Sequence, residues 1–132
     1  MPIITQFEDL EIWQKARMLY QKVIVITRKE AVKKDFRFCS QIKSAAGSVM
    51  DNIAEGFERD SRLEFINFLP YAKGSSGEVR SQLYRALDED YIDQDQFEDL
   101  MKQYKSLSTD IANFIRYLNG VEIKGQKFVG RK

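Results

Sequence analysis

Hydrophobic positions recur along the chain at steps of three and four, in four blocks separated by short polar stretches. That spacing places them on one face of a helix each time. The first helix is predicted over about 5–28, opened by a capping box of Thr5 and Glu8, with Leu10, Trp13, Ala16, Tyr20, Val23 and Thr27 inward. Ile12, Leu19 and Ile26 form a second apolar line, which reads either as a wide core face or as a surface for a partner subunit. The second helix spans about 37–55, with Ile42, Ala45, Ala46, Val49 and Ile53 inward. The small run Ser44 to Ser48 lets a neighbouring helix come close. Gly56 is expected to stop this helix in the left-handed conformation.

Ser61 and Glu64 make a capping box for a third helix over about 62–88. Leu63, Ile66, Leu69, Ala72, Val79, Leu83 and Leu87 are its inward set, and Phe65 and Phe68 broaden the apolar face toward an oligomer interface. Pro70 removes a backbone hydrogen bond, and Gly74 and Gly77 each cost about 1 kcal/mol against alanine. A kink near Ile66–Pro70 and close helix contact at Gly74 follow; a break into two helices is the alternative. Asp93 caps the fourth helix, about 94–119, whose stripe is Phe97, Leu100, Tyr104, Leu107, Ile111, Phe114 and Leu118. The sequence thus predicts an all-α, up-down-up-down antiparallel four-helix bundle over 1–120, and a basic, flexible tail at 121–132.

Charge changes this picture. The net charge is only +1, yet Ile12–Ser48 holds nine Lys and Arg against two acids, and Asp88–Asp99 holds seven acids and no base. In an up-down bundle the basic Arg28–Arg37 and acidic Asp88–Asp99 connections lie at the same end. Three readings compete: pairing of the basic run with the acidic connection, within a subunit or across to the next one, plain solvation, and a phosphate-binding surface formed by Lys15, Lys22, Lys29, Lys33, Lys34, Arg37 and Lys43. Tyr20 and Phe36 are aromatic enough to stack on bases, but both are expected to face the core or an interface.

Catalytic chemistry finds little to stand on. The chain has no histidine, which removes the commonest general base and metal ligand. The lone Cys39 fits a reducing, cytoplasmic setting and reads as a small hydrophobe near a helix start. Glu55, Glu58, Asp60 and Glu64 sit beside Arg59 and Arg62, which suggests ion pairing rather than acid–base work. Asn52 and Glu55 face the same corner and are expected to tie the loop or a neighbouring subunit by hydrogen bonds. No apolar run approaches the roughly 20 residues of a membrane span, and the opening does not read as a signal peptide. No enzyme activity and no cofactor is expected.

Several strings are more specific. Ser40-Gln41-Ile42-Lys43-Ser44-Ala45-Ala46, Asn52-Ile53-Ala54-Glu55-Gly56, Phe65-Ile66-Asn67-Phe68-Leu69 and Ala72-Lys73-Gly74-Ser75 with Glu78 resemble one family. It is the bacterial four-helix-bundle proteins encoded in intervening sequences of large-subunit ribosomal RNA genes. Phe7-Glu8-Asp9-Leu10 with Trp13-Gln14-Lys15-Ala16 resembles that family's opening. The resemblance implies a cyclic homopentamer, and marks Gln41, Asn52, Glu55, Gly56, Arg59, Gly74 and Glu78 as structural or interface positions. A relative, the accessory protein of diversity-generating retroelements, implies association with nucleic acid and with a nucleic-acid-processing enzyme. Pro70, Ser76 and Gly77 depart from the family pattern, and this chain is less basic than that relative. The expected function is a non-enzymatic oligomeric scaffold that binds RNA or DNA, against a protein–protein adaptor that binds none.

Overall fold

A computed structural model gives the fold and describes residues 3–120; the tail predicted at 121–132 lies outside the described residues. A single 3₁₀ turn at Phe7–Asp9 leads into four helices: α1 (Glu11–Thr27), α2 (Phe36–Glu58), α3 (Arg62–Asp88) and α4 (Gln94–Asn119). Each helix packs on its neighbours in the chain, and α4 closes against α1. Among the described residues the diagonals α1–α3 and α2–α4 make no close backbone approach. The predicted antiparallel four-helix bundle is the fold, and none of its described helices is long and apolar enough to cross a membrane.

The inward stripes of α2 and α4 are buried at every predicted position. In α1 both apolar lines are core: Ile12, Leu19 and Ile26 are buried alongside Ala16 and Val23. The wide stripe has a physical cause. α1 is covered by α2 on one side, by α4 on the other, and by the segment carrying Ile4, Phe7 and Leu10 at its start. Ile12, Leu19 and Ile26 are therefore not an oligomer interface. Neither is Phe65, which is fully buried against Phe57 and Phe114. Of the five candidate interface residues only Phe68 reaches the surface, half-buried under the Arg59 guanidinium.

Helix ends follow local chemistry where a side chain caps and depart from expectation where none does. Ser61 accepts from the Glu64 N–H, and Asp93 makes a full capping box with Gln96. The Thr5–Glu8 box does not form: the chain makes the 3₁₀ turn instead, and α1 starts at Glu11 without a side-chain cap. Gly56 does not end α2, which continues to Glu58. The residue that turns left-handed is Asp60 (φ 58°), whose N–H reaches the Phe57 carbonyl. Asp90 (φ 60°) plays the same part after α3, where the N–H groups of Asp90 and Tyr91 return to the carbonyls of Leu87 and Ala86 in a Schellman motif.

Gly56 is instead buried in the α2–α3 contact. A Cβ there would lie 2.7 Å from Phe68 Cβ and 2.9 Å from Phe65 Cδ1. The close helix contact thus falls at Gly56, not at Gly74, where a Cβ would meet nothing within 4 Å. α3 runs through Pro70 without breaking, because the ring sits on the exposed side where a lost backbone hydrogen bond costs least. Leu63 is 63% exposed rather than inward. The buried stripe of α3 is Phe65, Leu69, Ala72, Ser76, Val79, Leu83 and Ala86, and its three-and-four stepping does not pass through 63.

Candidate nucleic-acid interface

Seven lysines and arginines were candidates for phosphate contact, and the fold divides them into two groups. Lys15, Lys22 and Lys29 are seven residues apart, which on a helix puts them on one face, and that face meets α4. Lys15 Nζ donates to Asp110 Oδ2 at 2.9 Å and to Ser106 Oγ at 2.6 Å. Lys22 lies 3.8 Å from Asp99 Oδ2. Lys29 donates to the Tyr91 carbonyl at 3.0 Å and to Gln96 Oε1 at 3.5 Å. This ladder along the α1–α4 seam occupies three of the seven cations within the subunit. Its pairs are partly exposed, so each contributes about 0–1 kcal/mol and their main effect is on register.

The ladder runs into the end of the bundle where the two charged connections meet. Tyr91 donates its hydroxyl to Asp35 Oδ2 at 2.5 Å, and Asp35 also accepts the Phe38 N–H as the cap of α2. These two bonds, the tyrosine's first, hold the Asp35 carboxyl below its usual range. The same bond pushes Tyr91 up to about 12. The α1–α2 and α3–α4 connections therefore lie together, as the topology required.

The other group faces away from α4. Between the last turn of α1 and the first turns of α2 lies an open groove of about 670 Å³ bordered by Tyr20, Arg28, Lys33, Phe36, Ser40 and Lys43. Lys33 pairs with the exposed Glu30 at 2.8 Å. Arg28 and Lys43 have no carboxylate partner among the described residues. Lys34 and Arg37 are exposed nearby but do not border the groove. Phe36 opens α2 and is 79% exposed, so it is neither core nor covered by another helix. Arg28 was absent from the sequence-derived set. Its place at the end of α1, across from Phe36, follows from the turn at 28–35 and not from helical spacing.

Cys39 lies beneath this groove. Its thiol is buried near the carbonyls of Val32 (3.4 Å) and Thr27 (3.7 Å), and burial pushes its pKa up. A thiol held in that state is a poor nucleophile.

The family-motif residues do not gather into one site. Asn52 donates to the Ser48 carbonyl at 2.8 Å and to Ser48 Oγ at 2.9 Å, and Ser75 bonds Ser48 Oγ at 3.0 Å across the α2–α3 contact. Glu55 pairs with Arg59 at 3.2 Å, and Arg59 approaches Glu64 at 3.6 Å. Gln41 accepts from Arg85 Nη1 at 2.9 Å, at the opposite end of the bundle. Glu78 accepts from Gln82 along α3. All are contacts that fix one helix against its neighbour or its own next turn.

Known proteins agree with this architecture. The family described as 23S rRNA-intervening sequence protein matches residues 8–113. A crystal structure of a protein of unknown function from the S23 ribosomal protein family of Bacteroides thetaiotaomicron superimposes with a TM-score of 0.72 at 22% identity. The match covers 80% of this chain and 98% of that one, and at this identity it speaks for the fold alone. No curated protein matches the sequence.

Proposed function

We propose that this chain, which belongs to the family of 23S rRNA-intervening sequence proteins, is a non-enzymatic accessory or scaffold protein that binds RNA or DNA. The observation that carries this reading is the Arg28, Lys33 and Lys43 set around an exposed Phe36. Cations clustered on one surface are what phosphate binding requires, and of these three Lys33 alone has a carboxylate partner among the described residues, the exposed Glu30. The Lys15–Lys22–Lys29 ladder is assigned to holding α1 on α4. The absence of catalysis is inferred from Arg59 pairing with the corner carboxylates and from the buried thiol of Cys39. A cytoplasmic location, and work alongside a nucleic-acid-processing enzyme, complete the proposal.

Assembly into a homo-oligomer, pentameric as the family resemblance implies, is supported by the outer face of α3. Leu63 and Tyr71 are 63% and 67% exposed there, near the open surface at Gly74. Exposed large side chains beside a flat backbone suit close packing by a second copy. This face also supports a second reading, a protein–protein adaptor with no nucleic acid bound.

One set of proteins separates the readings by native mass and by binding to RNA and DNA across a salt series. Wild type is expected to be oligomeric and to bind at low salt, with affinity falling steeply as salt rises. Lys33→Glu/Lys43→Glu is expected to keep the mass and lose about tenfold or more in affinity, whereas Lys15→Ala keeps both. Tyr71→Glu is expected to lower the mass. If wild type binds no nucleic acid at low salt, the adaptor reading replaces this one.

A further inference from the structure

From the groove between α1 and α2 we infer a site for an unpaired nucleotide, with one base stacked on Phe36 and the flanking phosphates held by Arg28, Lys33 and Lys43. The inference rests on the nucleic-acid reading above and makes it specific: the ligand is a single strand, not a duplex. Phe36 is the first residue of α2 and presents its ring to solvent at 79% exposure, the highest of any large hydrophobic side chain among the described residues. The core has no use for it, since the adjacent inward positions are filled by Phe38 and Cys39. An aromatic face flanked by cations is the arrangement that takes a base and its backbone together, whatever the base.

The dimensions argue for one unpaired nucleotide. A space of about 670 Å³ falls among sites that hold a small molecule, roughly 300–1,000 Å³. In a duplex, moreover, the base faces are already stacked on one another and unavailable to a side chain. Tyr20, half-buried on α1, and Ser40, exposed on α2, line the same groove. No carboxylate borders it, and Asp35, next to Phe36 in the chain, has its oxygens on Tyr91 and Phe38. Among the described residues Glu30 is the acid paired with a groove cation, and it is exposed enough to be displaced by a phosphate.

The test is fluorescence anisotropy with the full chain and labelled oligo-U, oligo-dT and a duplex of the same length. Wild type is compared with Phe36→Ala, Phe36→Trp and Lys33→Glu/Lys43→Glu. Phe36 is exposed, so neither of its variants endangers the fold. The expected result is tighter binding of both single strands than of the duplex. Phe36→Ala should lose about tenfold on the single strands and keep the wild-type salt slope, because no phosphate contact is removed. Phe36→Trp should restore affinity, and its fluorescence should be quenched on binding. Single-strand binding unchanged in Phe36→Ala, with the lysine variant still weakened, overturns the stacking site and leaves the nucleic-acid reading standing. Duplex bound as tightly as single strand overturns it likewise. Failure of wild type to bind any of the three probes overturns both.

Discussion

Gly56→Val is expected to lower the stability of the fold by about 2–3 kcal/mol, toward the upper end of the usual cost of overpacking a well-filled contact. Two effects oppose each other at this position. Any side chain improves helix propensity over glycine, by about 1 kcal/mol for alanine and less for valine. Against that, the new Cβ would sit 2.7 Å from Phe68 Cβ and 2.9 Å from Phe65 Cδ1. Phe68 Cβ is fixed to the backbone of α3 and Phe65 is fully buried, so neither can swing aside. The helices must separate, and packing loss wins. Within the subunit Gly74→Ala reverses the sign: its Cβ meets nothing within 4 Å there, and the propensity gain is roughly 0.5–1 kcal/mol. Urea unfolding of both variants, with Gly56→Ala as a milder step, measures the pair. A Gly56→Val midpoint equal to that of wild type would mean that α2 and α3 do not cross closely there.

The same glycine shows where the sequence stopped being legible. A helix-terminating glycine and one that admits a neighbouring helix look alike when read locally, since both interrupt an apolar stripe. The choice depended on which residue after it could turn left-handed, and Asp60 did so. Capping by Ser61 and Asp93 was readable because a hydroxyl or carboxylate three residues before its partner N–H is a purely local relation. The stripe of α4 was readable because every one of its positions faces one core. The double stripe of α1 was ambiguous for the converse reason. Only the positions of α2, α4 and the Ile4–Leu10 segment decide that Ile12, Leu19 and Ile26 are inside.

The candidate site was half visible. The charge pattern marks the basic run, and the bundle topology puts it beside the acidic connection. What counting could not do was sort the cations. Lys15, Lys22 and Lys29 point to α4 because of their seven-residue spacing, which became meaningful only once α4 was known to close on that side. Phe36 reads as core or interface because helix-start aromatics often pack down against the preceding helix. Here the turn at 28–35 buries Val32 in that place, and Phe36 is left outside.

Tyr104 leads to the second large effect, which appears at alkaline pH. Its side chain, on α4, is fully buried, and its hydroxyl has no hydrogen-bond partner among the described residues. Burial pushes its pKa well above the ordinary tyrosine range. In the unfolded chain the same group ionises near pH 10. Below about pH 10 both states hold the proton and stability is indifferent to this residue. Above it the unfolded chain binds fewer protons than the folded one, so stability falls as pH rises, by up to about 1.4 kcal/mol per unit from this group alone. Tyr91, pushed up to about 12 by Asp35, acts in the same direction. Tyr104→Phe should therefore flatten the decline above pH 10 by about 1 kcal/mol per unit. At pH 7 the variant should be as stable as wild type, or more stable by about 1 kcal/mol, because the hydroxyl it removes satisfies no bond. Urea unfolding between pH 7 and 12 reads both effects at once. A variant that loses stability at pH 7 would show the hydroxyl to be bonded after all. One that declines as steeply as wild type would place the alkaline transition on Tyr91 instead.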